Sequence, residues 1–323
     1  MPSTLVRFDD FHVYGASAPE WRQCYRQISC GEMHSALLEL HLGQTQLFRK
    51  TLSQRVQQQG CLPAGRICVA VLAQGAGATG PARVQGRAFG AQSLLMLRGG
   101  QDFVIHRPAG LTLQAVSFDA AAFDAFLAQQ ADVAALRAVI GRGLAEVPAA
   151  VLAQLHRVLS ALPWNPAPLW PDPAVAAMPS MAEAVVMAAV VHALRAGGAV
   201  PRRGLSSHVL VSECQRLTLA RVHAPPSIEE LCTRLRASRR TLQDSFRTVA
   251  GTTPVDYLRA LRLNLVREAL HGTRSGEVDI GEIAVHAGFS QLSHFARRYR
   301  RLFGELPSQT LRAEALGRRG RVV

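Results

Sequence analysis

Asp279-Ile-Gly-Glu-Ile-Ala-Val-His-Ala-Gly-Phe-Ser-Gln-Leu-Ser-His-Phe-Ala-Arg-Arg-Tyr-Arg-Arg-Leu-Phe-Gly304 carries two helical periods separated by a turn. Ile280, Ile283, Ala284 and Ala287 follow i, i+3, i+4, i+7 spacing, Gly288 supplies the turn, and Phe295, Tyr299 and Leu302 restart the period. Asp279 and Glu282 have capping-box spacing for the first helix, and Ser290 is expected to cap the second. Opposite the second apolar stripe stand Gln291, Leu292, Ser293, His294, Arg297 and Arg298. One buried stripe backed by short polar and arginine side chains suits the major groove of double-stranded DNA.

The plan occurs a second time upstream. Ile228, Leu231, Cys232 and Leu235 form a scaffold stripe with Ser227 and Glu230 at capping-box spacing, and Leu242, Phe246 and Val249 form the stripe of the next helix. Ser238 is expected to cap that helix, whose exposed side offers Arg239, Arg240, Gln243, Asp244 and Arg247. Thr253-Pro254 then marks a new start, a cap followed by proline at the first helical position. Leu258, Leu261 and Leu265 carry the period toward Leu270 and Gly272. A connector of about 18 residues spans about 27 Å, which suits two reading helices on one DNA face, roughly 34 Å apart. A small helical packing module with merely solvated arginines would explain neither the repeated caps nor the repeated basic face.

The net charge is +13, and 48% of the 323 residues are hydrophobic, enough for two domains with ample cores. From Arg221 onward the chain carries 18 arginines against ten carboxylates, so positive charge is concentrated on the tandem units, where phosphate binding requires it. Lys50 is the only lysine, and nearly every other cation is a guanidinium able to fork onto phosphate or guanine. Neither a secretion signal nor a membrane span is indicated, and a cytoplasmic location is expected. Ala182 to Ala196, the most apolar run, is interrupted by Glu183, His192 and Arg195 and reads as a buried or partner-facing helix. Cys24, Cys30, Cys61, Cys68, Cys214 and Cys232 lack CxxC spacing and read as reduced packing residues.

Residues 35 to 120 have a different texture. Short β-like stretches, Ser35 to Leu42, Ile67 to Leu72, Ser93 to Leu97, Phe103 to Ile105 and Leu111 to Phe118, are punctuated by glycine and proline, notably in Gly75 to Pro81 and Gly99-Gly100. Strands at this spacing suggest a barrel or curled sandwich able to hold one small ligand. Helical patterns follow from Ala120 to Leu162, then a proline-rich stretch from Pro163 to Pro173. Gly197 to Gly204 reads as the interdomain linker.

No catalytic constellation emerges, and the chain does not read as an enzyme. His34 and His41, seven apart on a possible strand, would face opposite ways. No cupin-type metal cluster, G-x-S-x-G elbow or G-x-x-x-x-G-K loop is present. His106 and Arg107 read as a turn-edge histidine and a solvated arginine. Trp164 and Trp170 are expected to pack against the proline-rich segment. Asp10-Phe-His-Val-Tyr-Gly15 fits D-x-H-x-x-G, a pattern that supplies histidine to cobalamin cobalt in some enzymes. It lacks the surrounding α/β context, so His12 is not expected to be a ligand.

The second unit resembles the signature of AraC/XylS transcription regulators at Ile283-Ala284, Gly288-Phe289, Phe295, Tyr299, Gly304 and Pro307-Ser308. The first agrees at Ser238, Leu242, Gln243, Phe246, Gly251, Tyr257, Arg262-Leu263 and Leu270, and the resemblance covers residues 207 to 315. Leu292 and Asp244 depart from common choices. Leu292 is placed to touch a thymine methyl, and Asp244 to accept from a cytosine amine or orient Arg240. The sensor half is more scattered in its likeness, at Gly31-Glu-Met-His34, Gln46 to Arg49, Cys61-Leu62 and Gly99 to Phe103, and is most similar to regulators of ethanolamine utilisation. That resemblance implies ethanolamine and a cobalamin as effectors. The resulting expectation is an α+β chain: a β-rich, cupin-like barrel or sandwich for sensing and dimerisation over 1–197, a linker over 198–206, an all-α double helix-turn-helix domain over 207–315 and a basic tail over 316–323. Its expected partners are double-stranded promoter DNA, a small-molecule effector, RNA polymerase and a second copy of the chain, without a membrane. A constitutive DNA binder with a degenerate sensor, or a regulator answering a different effector, remains open at this point.

Overall fold

The computed structural model describes residues 3–8, 21–73, 80–162, 164, 178–200, 204–272, 279–315 and 321–322. Eleven strands come first: β1 (Ser3–Phe8), β2 (Cys24–Gln27), β3 (Ser35–Leu42), β4 (Thr45–Leu52), β5 (Val56–Cys61), β6 (Arg66–Leu72), β7 (Ala82–Val84), β8 (Arg87–Phe89), β9 (Ser93–Arg98), β10 (Asp102–Arg107) and β11 (Thr112–Asp119). Then come α1 (Ala120–Ala128), α2 (Val133–Gly141), β12 (Leu144–Glu146), α3 (Ala149–Ser160), α4 (Met178–Arg195) and β13 (Gly198–Ala199). The C-terminal half contains α5 (Leu205–Ala220), α6 (Ile228–Leu235), α7 (Arg239–Ala250), α8 (Pro254–His271), α9 (Ile280–His286), α10 (Leu292–Phe303), α11 (Pro307–Ala315) and β14 (Arg321–Val322).

The strands form two antiparallel sheets rather than one closed barrel. Nine run in the order β13-β12-β9-β6-β11-β4-β3-β1-β14, and five in the order β2-β5-β10-β7-β8. The larger sheet is buried on both faces, which explains why β6 reads as the unbroken apolar run Ile67-Cys-Val-Ala-Val-Leu72. Ile67, Val69 and Val71 pack in a cluster with α1 to α4, while Cys68 and Ala70 belong to a second cluster that also contains Phe103 and Ile105 of the smaller sheet. That second cluster continues without a break into Leu242, Phe246, Leu261, Phe295 and Tyr299 of the C-terminal helices.

Several expectations change at this level. Gly198-Ala199, placed in the linker, pairs with β12 as β13, Ala145 opposite Ala199. His34 precedes β3, so only His41 lies on that strand. His106 and Arg107 are not at a solvated edge; they sit on β10 at 5% and 1% exposure. The polar strand Val56-Gln-Gln-Gln-Gly-Cys61 and the short β2 were missed because neither has an apolar alternation. Cys30 is exposed, unlike buried Cys61, Cys68 and Cys214. Trp164 is buried, its Nε1 donating to Leu159 O at 2.6 Å. The pattern around His12, most of Gly75 to Pro81, the rest of the proline-rich stretch with Trp170, and most of the basic tail lie outside the described residues.

Candidate nucleic-acid interface

Each helix-turn-helix unit is built by local chemistry. In the first, Ser227 Oγ accepts from Glu230 N–H at 3.1 Å to start α6. Glu230 does not close the box; its carboxylate pairs instead with Arg221 at 2.7 Å and Arg234 at 3.1 Å. Arg236, at φ +50°, ends α6, and Ser238 Oγ accepts from Thr241 N–H at 3.0 Å to start α7. Leu242, Phe246 and Val249 are buried, which leaves Arg239, Arg240, Gln243, Asp244 and Arg247 exposed together. Two of these are already engaged: Arg239 pairs with Glu229 of α6, and Arg240 Nε lies 3.8 Å from Asp244 Oδ2.

In the second unit Asp279 Oδ1 accepts from Gly281 N–H at 2.7 Å. Gly288, at φ +78°, makes the turn; a β-carbon there would lie 2.5 Å from Val222 O, so only glycine fits. Ser290 is not the cap of α10. That position falls to Gln291, whose side chain makes no capping bond, so this helix start rests on packing. Phe289, Phe295, Tyr299 and Phe303 form a chain of ring contacts with centroids 5.3, 5.8 and 4.6 Å apart. Burying each of the last three side chains contributes about 1.5–3 kcal/mol. Gln291, Leu292, Ser293, His294, Arg297 and Arg298 are all exposed, and Leu292 presents an apolar contact at 47% exposure.

Helix α8 holds the two units. Thr253 caps it, Pro254 occupies its first turn, and it runs 18 residues, about 27 Å. Arg262 reaches from it to Gly288 O at 3.0 Å and stacks on Phe289 at 4.8 Å, clamping the second turn to the connector. Burial, then the charges of Arg259 and Arg298, push the Arg262 guanidinium down to about 10. The expected single stripe is too simple. Leu265 is only half-buried, whereas Asn264 and Arg267 are buried, because α8 packs on both sides.

Its other side meets the smaller sheet. Gln27 N–H donates to Asn264 Oδ1, and Asn264 Nδ2 donates to Gln27 O, both at 2.9 Å. Gln27 Nε2 donates to Leu302 O at 2.6 Å, and Gly31 N–H donates to the same oxygen at 3.1 Å. A second network joins His106 and its cross-strand neighbour Gln57 to the helices: Gln57 Nε2 donates to Gln215 Oε1 at 2.8 Å, Tyr257 OH to the same atom at 3.3 Å, and His106 Nε2 lies 3.0 Å from Tyr257 OH. Because the tyrosine proton goes to Gln215, the histidine is the neutral Nε2–H tautomer. Burial, then His208 and Arg83, push His106 down to about 3. Sequence reasoning missed Gln27, Gln57, Gln215 and Asn264; the one local signal was a polar Asn264 inside an apolar helix.

Two clefts open along this junction. One, of about 220 Å³, is lined by Arg55, Arg83, His106, Arg107 and Arg247 among others. The larger, about 420 Å³, lies between Ile28 to Cys30 of the sensor side and α8 and α10. Among the described residues no group of three or more His, Cys, Asp or Glu side chains is placed to hold a metal, and no helix is long and apolar enough to cross a membrane.

Two capped helical pairs with exposed basic second helices, held by one connector, define a tandem helix-turn-helix DNA-binding module. Residues 231–313 match the family described as helix-turn-helix domain. The chain is 43% identical over 86 residues to the XylDLEGF operon transcriptional activator of Pseudomonas putida, covering 27% of each protein. It is 32% identical over 104 residues to the HTH-type transcriptional regulator ArgR of Pseudomonas aeruginosa, 32% of this chain and 31% of that one. A solved transcriptional regulator with an AraC-type DNA-binding domain from Chromobacterium violaceum is 31% identical and covers 34% of this chain and 96% of its own, with a TM-score of 0.32. The chain thus spans about a quarter to a third of the length of these curated relatives, all of it in the C-terminal half. That half is a DNA-binding domain of the AraC/XylS family.

Proposed function

We propose that the chain is a transcription regulator, an activator, that binds double-stranded promoter DNA with α7 and α10 in successive major grooves. The observation that carries this reading is the pair of exposed faces, Arg240 with Gln243 on α7 and Ser293 with Arg297 on α10, fixed to one 18-residue connector. Phosphate attraction from the arginine-rich C-terminal half supplies affinity, and the two faces supply sequence preference. Residues 1–197 act as sensor and dimerisation domain, joined through 198–206 to the DNA-binding domain at 207–315 and a basic tail at 316–323. The Asn264 and His106 networks support coupling between the halves, since any effector that shifts the sensor's smaller sheet acts directly on the connector. RNA polymerase is the partner of the DNA-bound form. Nothing in the described residues singles out ethanolamine or a cobalamin, and the arginine-lined clefts repel a protonated amine. Selection from random duplexes tests the reading: two half-sites roughly one turn, or about 34 Å, apart are expected. Recovery of sequences without any shared motif would overturn it.

A further inference from the structure

We propose that the 420 Å³ cleft between the halves is a binding site for a small organic carboxylate with an apolar body. Its size falls in the range of small-molecule sites. Arg55, Arg259, Arg298 and Arg301 line it, against a single carboxylate among the described lining residues, Asp256. Asp256 is already committed, accepting from Arg259 Nη1 at 2.9 Å and from Thr253 Oγ1 at 2.8 Å. Arg298 and Arg301 have neither ion pair nor hydrogen bond among the described residues, and both are exposed. Crowding of like charge is felt at the site: burial, then Arg259 and Arg297, lower Arg298 below the usual arginine range. A bound anion relieves that repulsion and gives the forked donors an acceptor.

The remaining lining residues decide what kind of anion. Ile28, Ala260, Leu263 and Leu302 are buried, with exposures of 7, 4, 2 and 4%, and give the cleft an apolar side that an inorganic phosphate does not use. A hydrocarbon chain or ring against these residues, with its carboxylate toward Arg298 and Arg301, satisfies both parts of the lining. The cleft is also bounded by the sensor segment Ile28 to Cys30, so its ligand touches both halves at once. Arg298 belongs to the proposed DNA-reading face of α10. Occupancy therefore draws on a residue that DNA also uses, and ligand and DNA affinities become linked.

Cys30 lines the cleft and is exposed, which provides a readout that involves neither DNA nor stability. Alkylation of Cys30 in the full chain by iodoacetamide, followed by peptide mass spectrometry, is measured with hexanoate, benzoate, inorganic phosphate and hexylammonium. At about ten times its dissociation constant, hexanoate or benzoate is expected to slow alkylation about ten-fold by mass action. Arg301→Gln is expected to weaken that protection about ten-fold through loss of a charge-assisted contact. Arg98→Gln, on the exposed end of β9, is expected to leave it intact. Absence of protection by either carboxylate overturns the proposal. So does equal protection by phosphate, which would mark a plain anion patch of the kind that meets DNA backbone, and so does full protection in Arg301→Gln. The proposal gives the regulator reading its effector class, but it is scored without DNA, so either can fail while the other stands.

Discussion

Asn264 on α8 and Gln27 on β2 exchange two hydrogen bonds of 2.9 Å, side-chain amide to backbone peptide. Strand β2 is the edge of the smaller sheet, and Gln27 turns its peptide groups away from β5. An unpaired edge needs covering, and here a single asparagine on the DNA-binding connector completes the ladder. The same contact that satisfies the edge fixes the sensor sheet against the helix carrying both reading units.

Replacing Asn264 with Leu keeps the volume and removes both bonds. It strands two buried peptide groups of Gln27, so a loss of about 2–4 kcal/mol is expected. Urea unfolding of the full chain measures this. A change below about 0.5 kcal/mol would mean the edge finds another partner.

Arg240→Ala and Gln243→Ala are each expected to cost about 1–3 kcal/mol of cognate binding and to relax preference at one half-site. Titrations against cognate and random duplexes decide the point. Equal losses on both duplexes would make these residues phosphate contacts.

Arg297→Ala is expected to alter preference at a second half-site, because α8 fixes α10 at one distance from α7. Footprints unchanged in length and sequence would show that the second unit stays off the bases, leaving exposed Leu292 without a thymine to touch.

His106 gives the junction a pH dependence. The free side chain protonates near 6.5, and in the fold only near 3, because burial and then His208 and Arg83 disfavour the charge. Below 6.5 the unfolded chain therefore binds more protons than the folded one. The stabilisation is full above 6.5 and falls toward pH 3, by at most about 1.4 kcal/mol per pH unit. His106→Gln is expected to remove this component. Stability curves of the two proteins that stay parallel from pH 7 to pH 4 would refute the assignment.

Gly288→Ala is expected to cost at least about 2 kcal/mol, since alanine is strained at φ +78° and its β-carbon would sit 2.5 Å from Val222 O. Loss of the second half-site together with lowered thermal stability is the signature to look for. A fully stable variant would mean the turn relaxes at no cost.

The sequence by itself determined the two helix-turn-helix units. Their evidence is local: stripes at helical spacing, Ser227, Ser238, Thr253 and Asp279 at the caps, and Gly288 at a turn that excludes a β-carbon, all within reach of one or two turns of chain. It also showed β6 and β11 as apolar runs, since a strand buried on both faces needs no alternation. Tertiary structure alone decided the rest. Ser290 reads as a cap, yet packing of the aromatic chain begins α10 at Leu292. Val56 to Cys61 reads as polar loop, yet it is a central strand because Gln57 and Gln58 find partners far along the chain, at Gln215 and Gln23. Arg107 reads as solvated, yet Lys50 O and Leu111 O accept from it in the interior. A buried polar group is stable only beside a partner, and partners such as Gln27 and Asn264, 237 residues apart, leave no period in the sequence to announce them.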